Sequence, residues 1–376
     1  MLTWWQGATA GEYGGGTGVI ADSSYRVIAT VRGGNGYPAD IHEFRVTPHG
    51  TALITAYRPI RWDIRPLGGP RGRALIDSIA LEIDIKTGHV LFEWHSVGHI
   101  PLKESYSHFN PRTGSPVDYT HLNSVALDDD GNVLISARNT STAYKVDRKS
   151  GRILWRLGGK RSSFRLPKYA RFVGQHDFKR AEDGTYTLFD NANLLPPAKW
   201  ASRGLVFSID VGARKARLVH AFKQPQGRGT TTQGGVQVLS DEHYVVGWGG
   251  GIRDFSEFAA DGRLVFDAHL VPAVHSYRVY RFGWHGRPDR KPDIKVVTRK
   301  GRSVAYVSWN GATDVATWQV LAGTSQDGMD VVARAARRGF ETAIRLPRRP
   351  KFVAAKAVSD SGKVLAGSKT VTPTSG

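Results

Sequence analysis

The chain has no cysteine in 376 residues. That single absence excludes a disulfide framework, a thiolate metal site and a cysteine nucleophile, and it leaves the compartment open. No run of about 18 apolar residues occurs, so no segment is long enough for a membrane-spanning helix. No cleavable leader is expected either, since Met1 runs directly into Leu2-Thr-Trp4-Trp5-Gln, which reads as a strand of a folded core. Sustained helical periodicity is almost absent, which points to an all-β chain. Runs of five or more like charges are also lacking.

What the chain has in excess is positive charge, with 52 Lys and Arg against 33 Asp and Glu and a formal net charge of +19. Such a surplus favours anionic partners. Its dispersal along the chain describes a basic surface instead of a nucleic-acid arm, so no nucleic-acid partner is expected. With 40% hydrophobic and 10% aromatic residues the chain can bury a sizeable core, which rules out disorder.

A repeat emerges when short apolar strands are laid over one another. Leu53-Ile-Thr-Ala-Tyr57, Leu134-Ile-Ser-Ala-Arg138, Thr187-Leu-Phe-Asp190 and Val245-Val-Gly-Trp248 correspond, and each is followed by an acidic or glycine turn and another apolar strand. Five such units can be counted, the signature of propeller blades of about four strands each. The first unit lacks its opening strand, from which an incomplete N-terminal blade and missing upstream sequence are expected. Gly11-Glu-Tyr-Gly14-Gly-Gly-Thr-Gly18 reads as a hairpin loop, since no Gly-Lys-Ser or Gly-Lys-Thr closes it as a phosphate loop. Residues 58–72 and 96–118 read as long polar loops, of the kind that either rim a site or do nothing in particular. Asp128-Asp-Asp-Gly131 reads as a turn, because it lacks the spaced ligands and distal Glu of a calcium loop.

The composition changes near Pro288. We expect a propeller over 1–285, a linker over 286–292, and a β-sandwich of fibronectin type III character over 293–376, with Trp309 and Trp318 in its core. That module contains no histidine, so chemistry belongs to the propeller.

His42, His121 and His176 sit at equivalent repeat positions, eight to ten residues before the turn glycines Gly50, Gly131 and Gly184. Equivalent inner positions of successive blades converge on one channel mouth, so three imidazoles are expected to meet there. Strand alternation places Asn123 on the side of His121, and Arg138 begins the return from the neighbouring strand. Three histidines can hold a transition metal. An adjacent arginine disfavours a dication and favours an oxyanion such as sulfate or phosphate. A neutral imidazole is also a nucleophile toward sulfur or phosphorus. Which of the three would attack stays open at this level. Asp177 follows His176 and, as a strand neighbour, points away from it.

The segments His121-Leu-Asn123-Ser-Val, Leu134-Ile-Ser-Ala-Arg138-Asn139-Thr, Ile153-Leu-Trp155-Arg-Leu-Gly-Gly159-Lys, Gln175-His176-Asp177, Leu188-Phe-Asp190-Asn191 and Val246-Gly-Trp248-Gly249 together resemble the bacterial-type arylsulfotransferase family over residues 1–285. The resemblance implies a six-bladed propeller that moves a sulfuryl group from a phenolic ester to another phenol without a nucleotide sulfate donor. It makes His176 the nucleophile of a transient sulfohistidine. His42 and His121 would bind sulfuryl oxygens and shuttle the phenolic proton, Asn123 would donate a hydrogen bond, and Arg138 would neutralise developing charge. The expected partners are a small-molecule aryl sulfate and a phenol, with no metal and no cofactor. Family members carry export segments, which implies an extracellular or cell-envelope location; a genuine start at Met1 would instead mean the cytoplasm. Gly235 stands where related sequences carry a polar side chain, so the fifth unit is expected to give the site less. The alternative is a non-catalytic basic propeller that binds sulfated or acidic polymers.

Overall fold

The turns explain why strands follow one another so regularly. In Asp84–Gly88 the aspartate side chain accepts the Thr87 N–H at 2.7 Å while its carbonyl accepts the Gly88 N–H at 2.8 Å. Asp147 does the same with Ser150 at 2.7 Å and Gly151 at 2.9 Å. Each turn thus satisfies its own backbone and returns the chain antiparallel to itself.

The computed structural model describes residues 1–192, 201–252, 254–271, 274, 276–347 and 349–375. Among the described residues, five sheets of three or more strands precede residue 270, besides the short pair Gly33–Gly34 and Tyr37–Pro38. The first joins Leu2–Ala10, Tyr13–Ala21 and Val27–Val31. In the second, Phe44–Val46, Thr51–Trp62, Arg73–Asp84 and Val90–His95 pair in sequence order, and the short Val117–Asp118 runs parallel to Arg73–Asp84. The third contains Leu122–Leu127, Val133–Ala137, Thr142–Val146 and Ile153–Gly158. The fourth contains His176–Arg180, Tyr186–Asp190, Arg203–Asp210 and Lys215–Lys223. The fifth contains Gly235–Val238, Tyr244–Gly247, Asp254–Phe258 and Leu264–His269. The only helical segments among the described residues are three-residue 3₁₀ turns, and no helix is long and apolar enough to cross a membrane. The chain is all-β and propeller-like, as the repeat indicated.

Hydrophobic cores lie between successive sheets, because each strand alternates its faces. Val133 and Ile135 pack with Leu53, Trp94 and Leu122 on the side of the second sheet, while Leu134 packs with Phe178, Leu188 and Leu205 of the fourth. Phe189 and Val206 of the fourth pack with Val246 and Trp248 of the fifth. Trp94 also donates its indole N–H to the Gly151 carbonyl at 2.9 Å, tying the second sheet to the third.

Two expectations need correction. Only Gly11-Glu12 forms a turn, and Tyr13–Ala21 is a strand. Its glycines make room for the Trp5 indole, which a Cβ on Gly16 would approach to 2.6 Å. Residues 58–62, assigned to a loop, instead prolong the strand Thr51–Trp62, which pairs along its whole length with Arg73–Asp84.

The chain divides into two compact units. The larger comprises Thr3–Val19 and Ala29–Arg281, and the smaller Met1–Leu2, Ile20–Ile28 and Phe282–Gly376. In the smaller, the sheets Glu341–Arg345, Arg302–Ser308, Asp293–Arg299, Thr374–Ser375 and Met329–Ala336, Thr317–Gly323, Phe352–Val358, Val364–Gly367 enclose one core as a β-sandwich. Trp318 is buried there, and Trp309 packs against its edge.

Candidate functional site

His42, His121, His176 and Arg138 line one pocket of about 300 Å³ in the larger unit, together with Thr9, Gly11, Glu12, Ile41, Thr232, Gln233 and Tyr277. His42 and His121 lie edge to face with ring centroids 4.7 Å apart. Tyr277 stands 5.9 Å from the His42 ring and 6.2 Å from that of His176. Residues 58–72 and 96–118 do not line this pocket. Its rim is built by the first hairpin and by Thr232 and Gln233.

Each imidazole is tethered through Nδ1. His42 Nδ1 bonds Asp40, whose other oxygen accepts the Gly14 N–H at 2.6 Å. His121 Nδ1 lies 2.6 Å from Asp118, which also accepts the Tyr13 hydroxyl at 2.9 Å. His176 Nδ1 lies 2.7 Å from Asn191 Oδ1. The Asn191 amide is oriented by its Nδ2, which donates to the Gln233 carbonyl at 3.0 Å, so its oxygen must face the histidine. Nδ1 of His176 therefore carries the proton and Nε2 holds the free lone pair. Carboxylate partners at His42 and His121 likewise make Nδ1 the donor.

The partners differ in charge, and so do their consequences. Burial pushes the His176 pKa well below the usual histidine value, the Arg138 cation adds to this, and the hydrogen bond to the Asn191 amide opposes both without overcoming them. Burial lowers His42 too, against the pull of Asp40. Asp118 is pushed up by burial, but His121 and Tyr13 outweigh that and hold it below the ordinary carboxylate range.

Three polar groups in the pocket wall have no partner among the described residues: Arg138 Nε, the Tyr277 hydroxyl and Gln233 Oε1. Arg138 opens the 3₁₀ turn Arg138–Thr140, where Nη1 donates 2.9 Å to Asn139 and Nη2 donates 3.4 Å to the Thr231 carbonyl. Two unsatisfied donors beside three imidazoles describe a receptor for oxygen-rich anions.

Asn123 does not line the pocket. It is fully buried, with Nδ2 donating 2.7 Å to the Gln175 carbonyl and Oδ1 unpartnered among the described residues. His121 adopts φ +53°, and the register slips between Leu122 and Ser124, so two-residue spacing does not carry the two side chains to one side. Asp177, at φ +55°, turns away from His176 toward Lys179, Arg45 and Arg278.

Two groups among the described residues could offer three ligands to a metal: Glu12, Asp118 and His121, and Asp128 to Asp130. In the first, Asp118 is already committed to His121 and Tyr13. In the second, the Lys145 ammonium lies 2.6 Å from Asp128 and 2.7 Å from Asp130, where a cation would sit.

The sequence pattern did not mark Tyr277, Asp40, Asp118 or the role of Asn191. A carboxylate two residues before His42 and three before His121 was a readable signal. Tyr277 carried none.

The family described as Arylsulfotransferase (ASST) matches residues 1–270. No curated protein matches the chain. Among solved structures, a protein of unknown function from Bacteroides caccae is 13% identical over 71% of this chain and 93% of its own, with a TM-score of 0.36. A protein from Lactobacillus plantarum is 13% identical over 91% and 84%, with a TM-score of 0.38. Virginiamycin B lyase from Staphylococcus aureus is 8% identical over 85% and 88%, with a TM-score of 0.30. At such scores these likenesses add nothing beyond what the strand order shows.

Proposed function

The chain belongs to the arylsulfotransferase family, and from that premise we propose that it moves a sulfuryl group from a phenolic sulfate ester to a phenol through a sulfohistidine at His176. The observation that carries this reading is the tethering of His176 to a neutral amide, which leaves Nε2 unprotonated beside two unpartnered donors.

Nε2 of His176 attacks sulfur, the S–O bond to the aryl group breaks, and the departing phenolate takes the Nε2 proton of His42 or His121, which enters the step as an imidazolium and leaves it neutral. The acceptor phenol returns its proton to the same histidine as its oxygen attacks sulfur and the N–S bond breaks. Asp40 and Asp118 suit this shuttle, since each can stabilise the imidazolium that holds the proton before the donor is cleaved and after the acceptor attacks. Asn191 cannot do so as well, which separates the nucleophile from the two proton carriers. Arg138 Nε and the Tyr277 hydroxyl donate to sulfuryl oxygens as charge develops. A pocket of about 300 Å³ admits a single-ring ester.

A chromogenic aryl sulfate assayed with and without a phenol acceptor tests the reading. Wild type should release the chromophore faster with acceptor and form an acid-labile, alkali-stable sulfohistidine, and His176→Ala should do neither. Undiminished transfer in a folded His176→Ala overturns it, and salt-sensitive polymer binding without turnover would favour the non-catalytic alternative.

A further inference from the structure

His42 and His121 stand just before the inner strands Phe44–Val46 and Leu122–Leu127, and His176 opens His176–Arg180; these strands belong to three sheets that share no backbone ladder, so the spacing of the imidazoles depends on side chains that bridge between sheets. Arg278 touches all three. Nη1 donates 2.6 Å to Glu43, the residue after His42. Nη2 donates 3.2 Å to the His42 carbonyl and 3.0 Å to the Asn123 carbonyl. Nε pairs in charge with Asp177, the residue after His176, at 3.1 Å without the alignment of a hydrogen bond. Glu43 in turn accepts the Val125 N–H of the third sheet at 3.2 Å.

The segment bearing Arg278 lies along the inner strand of the fifth sheet. The Gly234 N–H donates 2.9 Å to the Tyr277 carbonyl, and the Gln237 side chain bonds the Arg281 N–H at 2.7 Å and its carbonyl at 3.0 Å. Gly235 is where that strand makes room. A Cβ there would come within 2.6 Å of the Asp177 carboxylate and 3.3 Å of Arg278 Cγ. The fifth sheet therefore withholds a side chain at its inner position, and Arg278 fills the place. This residue lies beyond residue 270, where the family match ends.

We propose that Arg278 is the positioning residue of the pocket, a single guanidinium that ties together the starts of the three inner strands where the histidines stand; the inference rests on the reading of the pocket as a sulfuryl-transfer site. Only a planar fork of five donors can address three strands at once, whereas an ammonium is a point charge. Its anchors are buried carboxylates shared with Arg45 and Lys179, so the bridge is confined to one geometry. The guanidinium sits behind the pocket wall and touches no reacting atom, so its loss should displace the imidazoles without emptying the pocket.

Two variants separate position from stability. Arg278→Lys keeps the charge and removes the fork. Arg278→Met combined with Glu43→Gln removes one cation and one anion, leaving the net charge of the buried cluster unchanged. In both, kcat should fall about 10- to 100-fold, the consequence of misplacing reacting groups by up to 1 Å. The donor KM should stay within about threefold, because Arg138 and Tyr277 still bind the sulfate group. A parallel titration with inorganic sulfate, read by ¹⁵N shifts of the histidine side chains, should show the three imidazoles responding together in wild type and at unequal concentrations in the variants. A wild type that binds sulfate at these imidazoles but transfers no sulfuryl group defeats the proposed reaction, while the titration still decides the role of Arg278. A folded variant with wild-type kcat, or with wild-type sulfate response where no transfer exists, overturns the inference. Loss of the fold in both variants overturns it too, since Arg278 would then be a stability residue.

Discussion

Replacing Asn191 with leucine is the most searching test of how His176 is prepared. The substitution nearly preserves volume and removes the 2.7 Å acceptor of Nδ1–H at a site where Asn191 is 1% and His176 2% exposed. A buried donor left without a partner costs about 1–3 kcal/mol. The imidazole can recover part of this by moving the proton to Nε2, and that tautomer has no lone pair for sulfur. Expressed in the barrier, the same energy lowers kcat about 5- to 150-fold. Asn191→Asp is the complementary change. A carboxylate stabilises the imidazolium and raises the pKa that burial and Arg138 have depressed. Wild-type kcat should thus stay level as pH falls through 6.5, the ordinary histidine value, and decline only below it. In Asn191→Asp the decline should begin at higher pH. Stopped-flow release of a chromogenic phenol, with rapid quench for the sulfohistidine, measures both effects. A folded Asn191→Leu whose burst and kcat stay within twofold of wild type refutes the tautomer argument, as does an Asn191→Asp profile superimposable on wild type.

Arg138→Met should lower kcat/KM for the aryl sulfate about 10²- to 10³-fold and shift the acidic limb upward, because the cation that helps keep His176 neutral is gone; a pH–rate series on both proteins checks this. His95 is held by Asp77 at 2.6 Å and Glu93 at 2.8 Å, and the Asp77 hydrogen bond leads the causes that raise its pKa to about 9. The stability it adds is fully present below 6.5 and is lost as pH rises through 9. Urea midpoints between those limits should therefore fall with pH in wild type and flatten in His95→Gln. Trp94→Ala opens a cavity between the second and third sheets and should cost about 3–5 kcal/mol, whereas Trp94→Phe, which forfeits chiefly the bond to Gly151, should cost about 1 kcal/mol; denaturant melts distinguish them.

Much of the fold was legible because its information is local. Alternation inside strands and short turns built on Asp or Gly between them recur along the chain, and both act over a few residues. The gathering of His42, His121, His176 and Arg138 was legible for a related reason, since equivalent places in a repeat converge. The placement of Asn123 was not. A left-handed residue at His121, matched by one at Asp177, breaks strand parity at both histidines, and no residue type announces it. Gly235 stands out in the sequence as a departure from related chains, but its meaning is hidden there, because the atoms that occupy its space come from Asp177 and Arg278. That contact bridges sheets whose strands are far apart in sequence, and nothing near either residue encodes it.

The bridge made by Arg278 also orders events in time. It joins His42 to a residue 236 positions later. At about 5–20 residues per second of synthesis, roughly 12 to 47 seconds separate the two. The second, third and fourth sheets can pair and exclude water during that interval, since each packs on the neighbour made just before it. The guanidinium that bridges them is made only after the strands of the fifth sheet. A nascent chain can hence pair these three sheets before Arg278 has been made.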